Sequence, residues 1–154
     1  MEESKKISAL GGPFGRPMWY LLDEQGNPYP TKDTLAASEL LSNIEKRRVG
    51  STEKEVAGYK IWVSTVFLVL EHLDWSLDLE HPRKALFESM FFINDGEIGS
   101  ATRRYATRDE AIRGHKEIVE TIEMAIEEMG KRTIVSGLLE KVMNKLAQDS
   151  KGRQ

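Results

Sequence analysis

Apolar residues recur along this chain in two rhythms, and the rhythms divide it into elements. From Tyr59 to His72 most positions are β-branched, aromatic or aliphatic: Tyr59, Ile61, Trp62, Val63, Thr65, Val66, Phe67 and Val69. A strand apolar on both faces is expected at the centre of a sheet, covered on each side. A second strand follows at Ala85 to Ile93, closed by the turn signal Asn94-Asp95-Gly96. Ile98 to Tyr105 is a third strand, more polar and therefore suited to an edge. These three form an antiparallel meander. Upstream, Met18 to Leu22 predicts a short edge strand, and Asp23 to Pro28 a turn after it, with Gly26 free to take positive φ.

The helical rhythm is clearest after Thr107. Thr107-Arg108-Asp109-Glu110 forms a capping box, in which the threonine accepts from the N3 amide and the glutamate reaches back to the N-cap amide. Ala111, Ile112, His115, Ile118, Val119, Ile122, Ala125, Ile126 and Met129 then repeat every three or four residues, until Gly130. A further amphipathic helix spans Ile134 to Leu146. Residues 32–48 predict another helix, capped by Thr31 or Asp33 and bearing Leu35, Ala36, Leu40, Leu41 and Ile44 on one face. Its basic end, Lys46-Arg47-Arg48, suits the negative pole of a helix, and Gly50 stops it.

The expected fold class is therefore α+β: a small antiparallel sheet of three to four strands with amphipathic helices packed on it. The Gly-, Pro- and charge-rich residues 1–17 read as a flexible arm, and residues 18–130 as one α+β domain. Residues 131–154 read as a C-terminal helix and tail. The apolar stripe within 131–148 either folds back on the sheet or joins copies into a homo-oligomer.

Composition narrows the function classes. The chain has 154 residues and a net charge of −3, and a dedicated duplex-DNA binder would usually be basic. Cysteine is absent, which excludes disulfides, thiol nucleophiles and cysteine-ligated metals. The charged start Met1-Glu2-Glu3-Ser4-Lys5-Lys6 leads into no apolar signal core, and Ile61 to Leu70 is too short for a membrane helix. The expectation is a cytoplasmic protein with no membrane partner.

Two constellations carry candidate chemistry. Arg103, Arg104, Arg108 and Arg113, with Lys116, give residues 99–116 five cations against Asp109 and Glu110. Near a helix N-terminus such guanidinium groups can grip a nucleotide phosphate or an acidic partner, or can simply form a solvated edge. Glu71, His72, His81 and Glu88 could bind a metal or do acid–base work, although no HExxH or close histidine pair supports this. Pairing around a turn near residue 78 would set Leu68 opposite Glu88. Ser64, Leu68, His72 and Glu88 would then share one face, and Thr65, Glu71 and Ser89 the other. Glu88, between Phe87 and Met90, needs a partner if buried, and Arg103 or Arg104 can supply one. His115, on an apolar stripe, reads as a packed core histidine or a ligand. Trp75, in an acidic loop, reads as a partner contact.

Several segments together resemble a family of small bacteriophage and prophage proteins. They are Val63-Ser64-Thr65-Val66-Phe67-Leu68, Leu86-Phe87-Glu88-Ser89-Met90-Phe91-Phe92, Arg104-Tyr105-Ala106-Thr107, Glu110-Ala111 and Gly114-His115, with Tyr20 to Pro28 upstream. The resemblance covers roughly residues 18–122. The chain departs from the pattern at Val69, where a glycine is usual, at Glu71, where an aspartate is usual, and at Ser89, where a threonine is usual. The resemblance implies a phage accessory origin, and hence the host cytoplasm, and assigns no catalytic residue.

The reading that follows is a non-enzymatic accessory protein, a counter-defence candidate, which sequesters or inhibits a host protein or a nucleotide signal. No cofactor or metal is assigned. The alternatives are a metal-dependent hydrolase built on Glu71, His72, His81 and Glu88, and a structural homo-oligomer.

Overall fold

A computed structural model describes residues 18–74, 83–95, 98–129 and 135–151. The expected Trp75 contact and His81 lie outside the described residues, as do the arm 1–17 and the end of the tail. In chain order the elements are β1 (Trp19–Leu22), β2 (Pro28–Thr31), α1 (Thr34–Ser42), α2 (Ile44–Arg47), β3 (Arg48–Val56), β4 (Tyr59–Asp74), β5 (Arg83–Ile93), β6 (Ile98–Tyr105), α3 (Arg108–Met129) and α4 (Val135–Lys151).

The class is α+β, with a larger sheet than three to four strands: six strands pair antiparallel. Strands β3 to β6 form a meander, and the β1–β2 hairpin joins it. The long β4 makes this possible. One of its edges carries β5, while the other carries β3 along Tyr59–Val66 and then β1 at Leu70. Strand β3 escapes the sequence pattern because Arg48–Val56 has no apolar alternation. It becomes a strand by pairing with β4, and its charged side chains blunt the outer edge. Pro28 and Pro30 protect the outer edge of β2, on the same side of the sheet, in the same way.

The helix expected over residues 32–48 is broken. Asn43 leaves helical geometry, accepts from the Lys46 amide and starts the separate one-turn α2. The predicted apolar face is largely in water: Leu35 is 71% exposed, and Leu41 and Ile44 are also exposed, whereas Ala37 is fully buried. Asp33 caps α1 through the Ala36 amide. The basic triplet does end a helix, the short α2, but Arg47 turns inward. Arg48 begins β3, and the Arg47 guanidinium donates to the Phe67 carbonyl at 2.8 Å. That carbonyl lies where the β4–β5 register breaks, so Arg47 satisfies backbone that the ladder leaves free.

The register itself is a correction. Glu88 stands opposite Val66, not Leu68, and Ser64 opposite Met90. The slip is two residues, so the side-chain faces survive. Beyond Phe67 the register jumps, and His72 pairs with Ala85. The jump spans an odd number of residues, which moves His72 to the face opposite Glu88. Within the jump Val69 takes φ 68°, the left-handed region that glycine adopts without cost. A β-branched side chain is strained there.

Odd-numbered residues of β4 and β5 form the core face. Ile61, Val63, Phe91 and Ile93 pack under Ile118, Val119, Ile122 and Ile126 of α3, and Leu138, Val142 and Leu146 of α4 complete the same cluster. Leu138, Val142 and Leu146 of the α4 stripe thus serve its own fold, against α3 and β6, while Met143 is exposed. A second cluster joins Phe67, Val69, Phe87 and Tyr105 to Ala37, Ala111 and the β1 side chains. The other face of the meander was expected to be covered and is open: Trp62 is exposed, and Ser64, Val66, Met90 and Phe92 are half-buried. No helix among the described residues is long and apolar enough to cross a membrane.

Val69 and Val63 are both fully buried valines, and only Val69 carries left-handed strain. Left-handed backbone costs a non-glycine residue about 1–2 kcal/mol, and that strain is relieved by glycine. In urea unfolding, Val69→Gly is expected to cost about 1–2 kcal/mol less than Val63→Gly. Equal losses would remove the strain account.

Candidate functional site

Residues of β3, β4, β5 and α3 meet at one place between sheet and helix. Thr65 and Ser89 are cross-strand partners on the core face, both fully buried, with hydroxyl oxygens 2.5 Å apart. His115 of α3 drops its ring onto them: Nδ1 lies 2.8 Å from Thr65 Oγ1, and Nε2 lies 2.8 Å from Thr52 Oγ1 on β3. Gly50 leaves room for the ring, since a Cβ there would sit 3.0 Å from His115 Nδ1. Tyr105 lies flat on Gly114, where a Cβ would meet the ring at 2.2 Å. The buried Tyr105 hydroxyl finds no hydrogen-bond partner among the described residues. Burial pushes its pKa up, and the Ser89 hydroxyl nearby opposes that shift.

A hydroxyl on an imidazole is the geometry of an activated nucleophile. Here Thr65 and Ser89 are fully buried, while Thr52 and His115 are half-buried. The junction is a satisfied polar knot that registers α3 on β3, β4 and β5. His115 is half-buried and hydrogen-bonded between helix and sheet, and Thr52, Gly50 and Tyr105 are members that sequence reasoning missed. Thr52 could not be foreseen because β3 itself was not.

The arginines do not converge. Adjacent residues of a strand point to opposite faces, and Arg103 and Arg104 obey that rule. Arg103 lies on the helix face and pairs with Glu117 at 3.0 Å, while Arg104 lies on the open face and pairs with Glu88 at 2.9 Å. Glu88 thereby gains one of the two partners anticipated for it. Arg108 lies against the β1–β2 turn, with its Nε 2.7 Å from where a Gly26 Cβ would be. Arg113 is exposed on α3, and Lys116 approaches Glu120 at 3.9 Å. The capping box forms with one variation: Thr107 accepts from Glu110, but Glu110 reaches the Ala106 amide, one residue before the N-cap.

The acidic and histidine residues are also apart. Glu71 accepts from the Tyr20 hydroxyl at 3.1 Å and pairs with Lys84 at 3.3 Å. Burial, with Glu71 second, raises the Tyr20 pKa. His72 faces away from Glu88, and His81 lies outside the described residues. Among the described residues no three His, Asp or Glu side chains gather as a metal-binding set.

The open face carries the accessible feature. Trp62 and Phe92 are cross-strand partners whose rings stack with centroids 4.9 Å apart and planes 21° off parallel. Trp62 Nε1 donates to Ser51 Oγ at 3.1 Å, and the indole remains 38% exposed. Around it lies a shallow groove of about 690 Å³, lined also by Glu53, Lys54, Glu55, Lys60, Ile61 and Asp95. Comparison with family models, curated proteins and solved structures finds no match.

Two measurements test the knot. Desolvation lowers the His115 pKa below its ordinary value of 6.5. The unfolded chain then binds this proton at higher pH than the native one, so stability is full above about 6.5 and falls as pH drops toward the native value. His115→Gln is expected to flatten that part of the profile in thermal melts between about pH 7.5 and 5.5, and parallel profiles would refute it. An unpaired buried hydroxyl costs about 1–3 kcal/mol, so Tyr105→Phe is expected to leave stability unchanged or raise it. A loss above about 1 kcal/mol would show that the hydroxyl is bonded after all.

Proposed function

We propose that this chain is a non-enzymatic binding protein of the phage accessory type, which captures a host protein through the open face of its sheet. The observation that carries the reading is the stacked Trp62–Phe92 pair, a cross-strand aromatic platform with Trp62 exposed and Phe92 half-buried. Aromatic side chains on preformed surfaces are the common anchors of protein interfaces, because they bury much area at little entropic cost. The groove beside it adds charged groups at its rim, as interface patches do.

A protein partner is favoured over a nucleotide signal. A nucleotide grip would need Arg103, Arg104 and Arg108 to converge, and they lie on two faces and a turn, two of them already on carboxylates. The resemblance to phage and prophage proteins supports an accessory or counter-defence role in the host cytoplasm.

Native mass spectrometry of the protein recovered from producing host cells tests this reading. A stoichiometric protein mass is expected on the wild type and on the Arg103→Ala, Arg104→Ala, Arg108→Ala triple variant. It should be absent from Trp62→Ser/Phe92→Ser, with circular dichroism confirming that each variant is folded. No carried protein, or one held equally by the open-face variant, overturns the proposal. A nucleotide mass lost only from the arginine variant would restore the anion reading.

A further inference from the structure

We infer that the Trp62 groove is a receptor for a cationic side chain, an arginine or lysine of the partner protein, held between the indole and the carboxylates of Glu53 and Glu55. The inference rests on the binding reading above and names the chemistry of the partner. Strand pairing sets Glu53 opposite Trp62 and Trp62 opposite Phe92, so the three stand in one row across β3, β4 and β5. Phe92 covers one flank of the indole, and the row places Glu53 on the other. The Ser51 hydroxyl holds the indole nitrogen and fixes the ring. Glu55 lies in the next row on the same face, opposite Lys60.

The charges around the groove are not equally free. Lys54 belongs to the core face and is held by Glu123 at 2.6 Å, and Lys60 approaches Asp95 at 3.7 Å. Glu53 and Glu55 are exposed and make no ion pair among the described residues. The groove therefore offers an aromatic surface, the carboxylates of Glu53 and Glu55, which make no ion pair among the described residues, and Lys60 across from Glu55. An indole face attracts cations through its quadrupole, more strongly than the other aromatic rings do. A guanidinium suits the arrangement best, because it can lie flat on the ring while its edge donates to a carboxylate. The same carboxylates repel phosphate, which sets a nucleic-acid backbone against this face despite the aromatic platform.

The indole Nε1–H proton signal of Trp62 reports the site directly. The chain holds three tryptophans, and Trp62→Phe assigns the signal. The probes are a hexa-arginine peptide with blocked ends, a hexaglutamate peptide and a short oligodeoxythymidine. Hexa-arginine is expected to shift the Trp62 signal saturably, and the other two are expected to leave it still. In Glu53→Gln/Glu55→Gln, with backbone amide spectra showing an intact fold, the hexa-arginine dissociation constant should rise about fivefold or more. A Trp62 signal that does not move, or an equal affinity in the double variant, overturns the cation receptor. In that case a partner mass lost from the open-face variant would still uphold the binding reading. A shift with oligodeoxythymidine alone would replace the cation with a nucleobase.

Discussion

The imidazole of His115, held between two threonine hydroxyls, is the contact on which the packing of this protein depends. It reaches from α3 to β3 through Thr52 and to β4 through Thr65, and Thr65 passes the hydrogen bond to Ser89 on β5. Apolar burial supplies the bulk of the stabilisation but is indifferent to small slides of a helix along a sheet. A buried polar chain is not indifferent, because each unmet group costs free energy. Gly50 and Gly114 belong to the same device: one admits the imidazole and the other admits the Tyr105 ring. The knot thereby sets the depth and register of α3, and with it the core of Ile61, Phe91, Ile118 and Ile122.

Covering one face of the meander so completely leaves the other face to water. Helices α3 and α4 both serve the core face, and β4 and β5 therefore show Trp62, Met90 and Phe92 outward. The division also sorts the charges. Arg103 is drawn to Glu117 on one face and Arg104 to Glu88 on the other, so a run of cations that is dense along the chain is dispersed in space. Beside the aromatic pair the accessible charges are Glu53, Glu55 and Asp95, with Lys54 and Lys60 among them. The accessible aromatic surface thus follows from which face of the sheet α3 and α4 leave uncovered, rather than from where the chain is most basic.

The β4 strand shows how an irregularity can extend a sheet. Its register jump lets one edge serve β3 and then β1, at the cost of a left-handed Val69 and a freed carbonyl at Phe67. Arg47 answers the second cost by donating to that carbonyl, which is why one member of a basic triplet turns inward. Neither the jump nor the arginine's role has a periodic signature, since both arise from the meeting of elements distant in sequence.

Local pattern alone determined the α+β class, the β4–β5–β6 meander, the capping box of α3 and the odd–even division of β4 and β5 up to the jump. These depend on side-chain periodicity and on hydrogen bonds within a few residues, which the order of residues expresses directly. Thr65 and Ser89 were legible as sharing a face and His115 as lying on the apolar stripe of α3, though not as a single contact. Tertiary structure decided the rest. It made a strand of the polar β3, broke the helix at Asn43, turned His72 away from Glu88, separated Arg103 from Arg104 and exposed Trp62. Each of these depends on a partner far along the chain: a β3 ladder needs β4 beside it, and the exposure of a strand face is settled only by which side the helices choose.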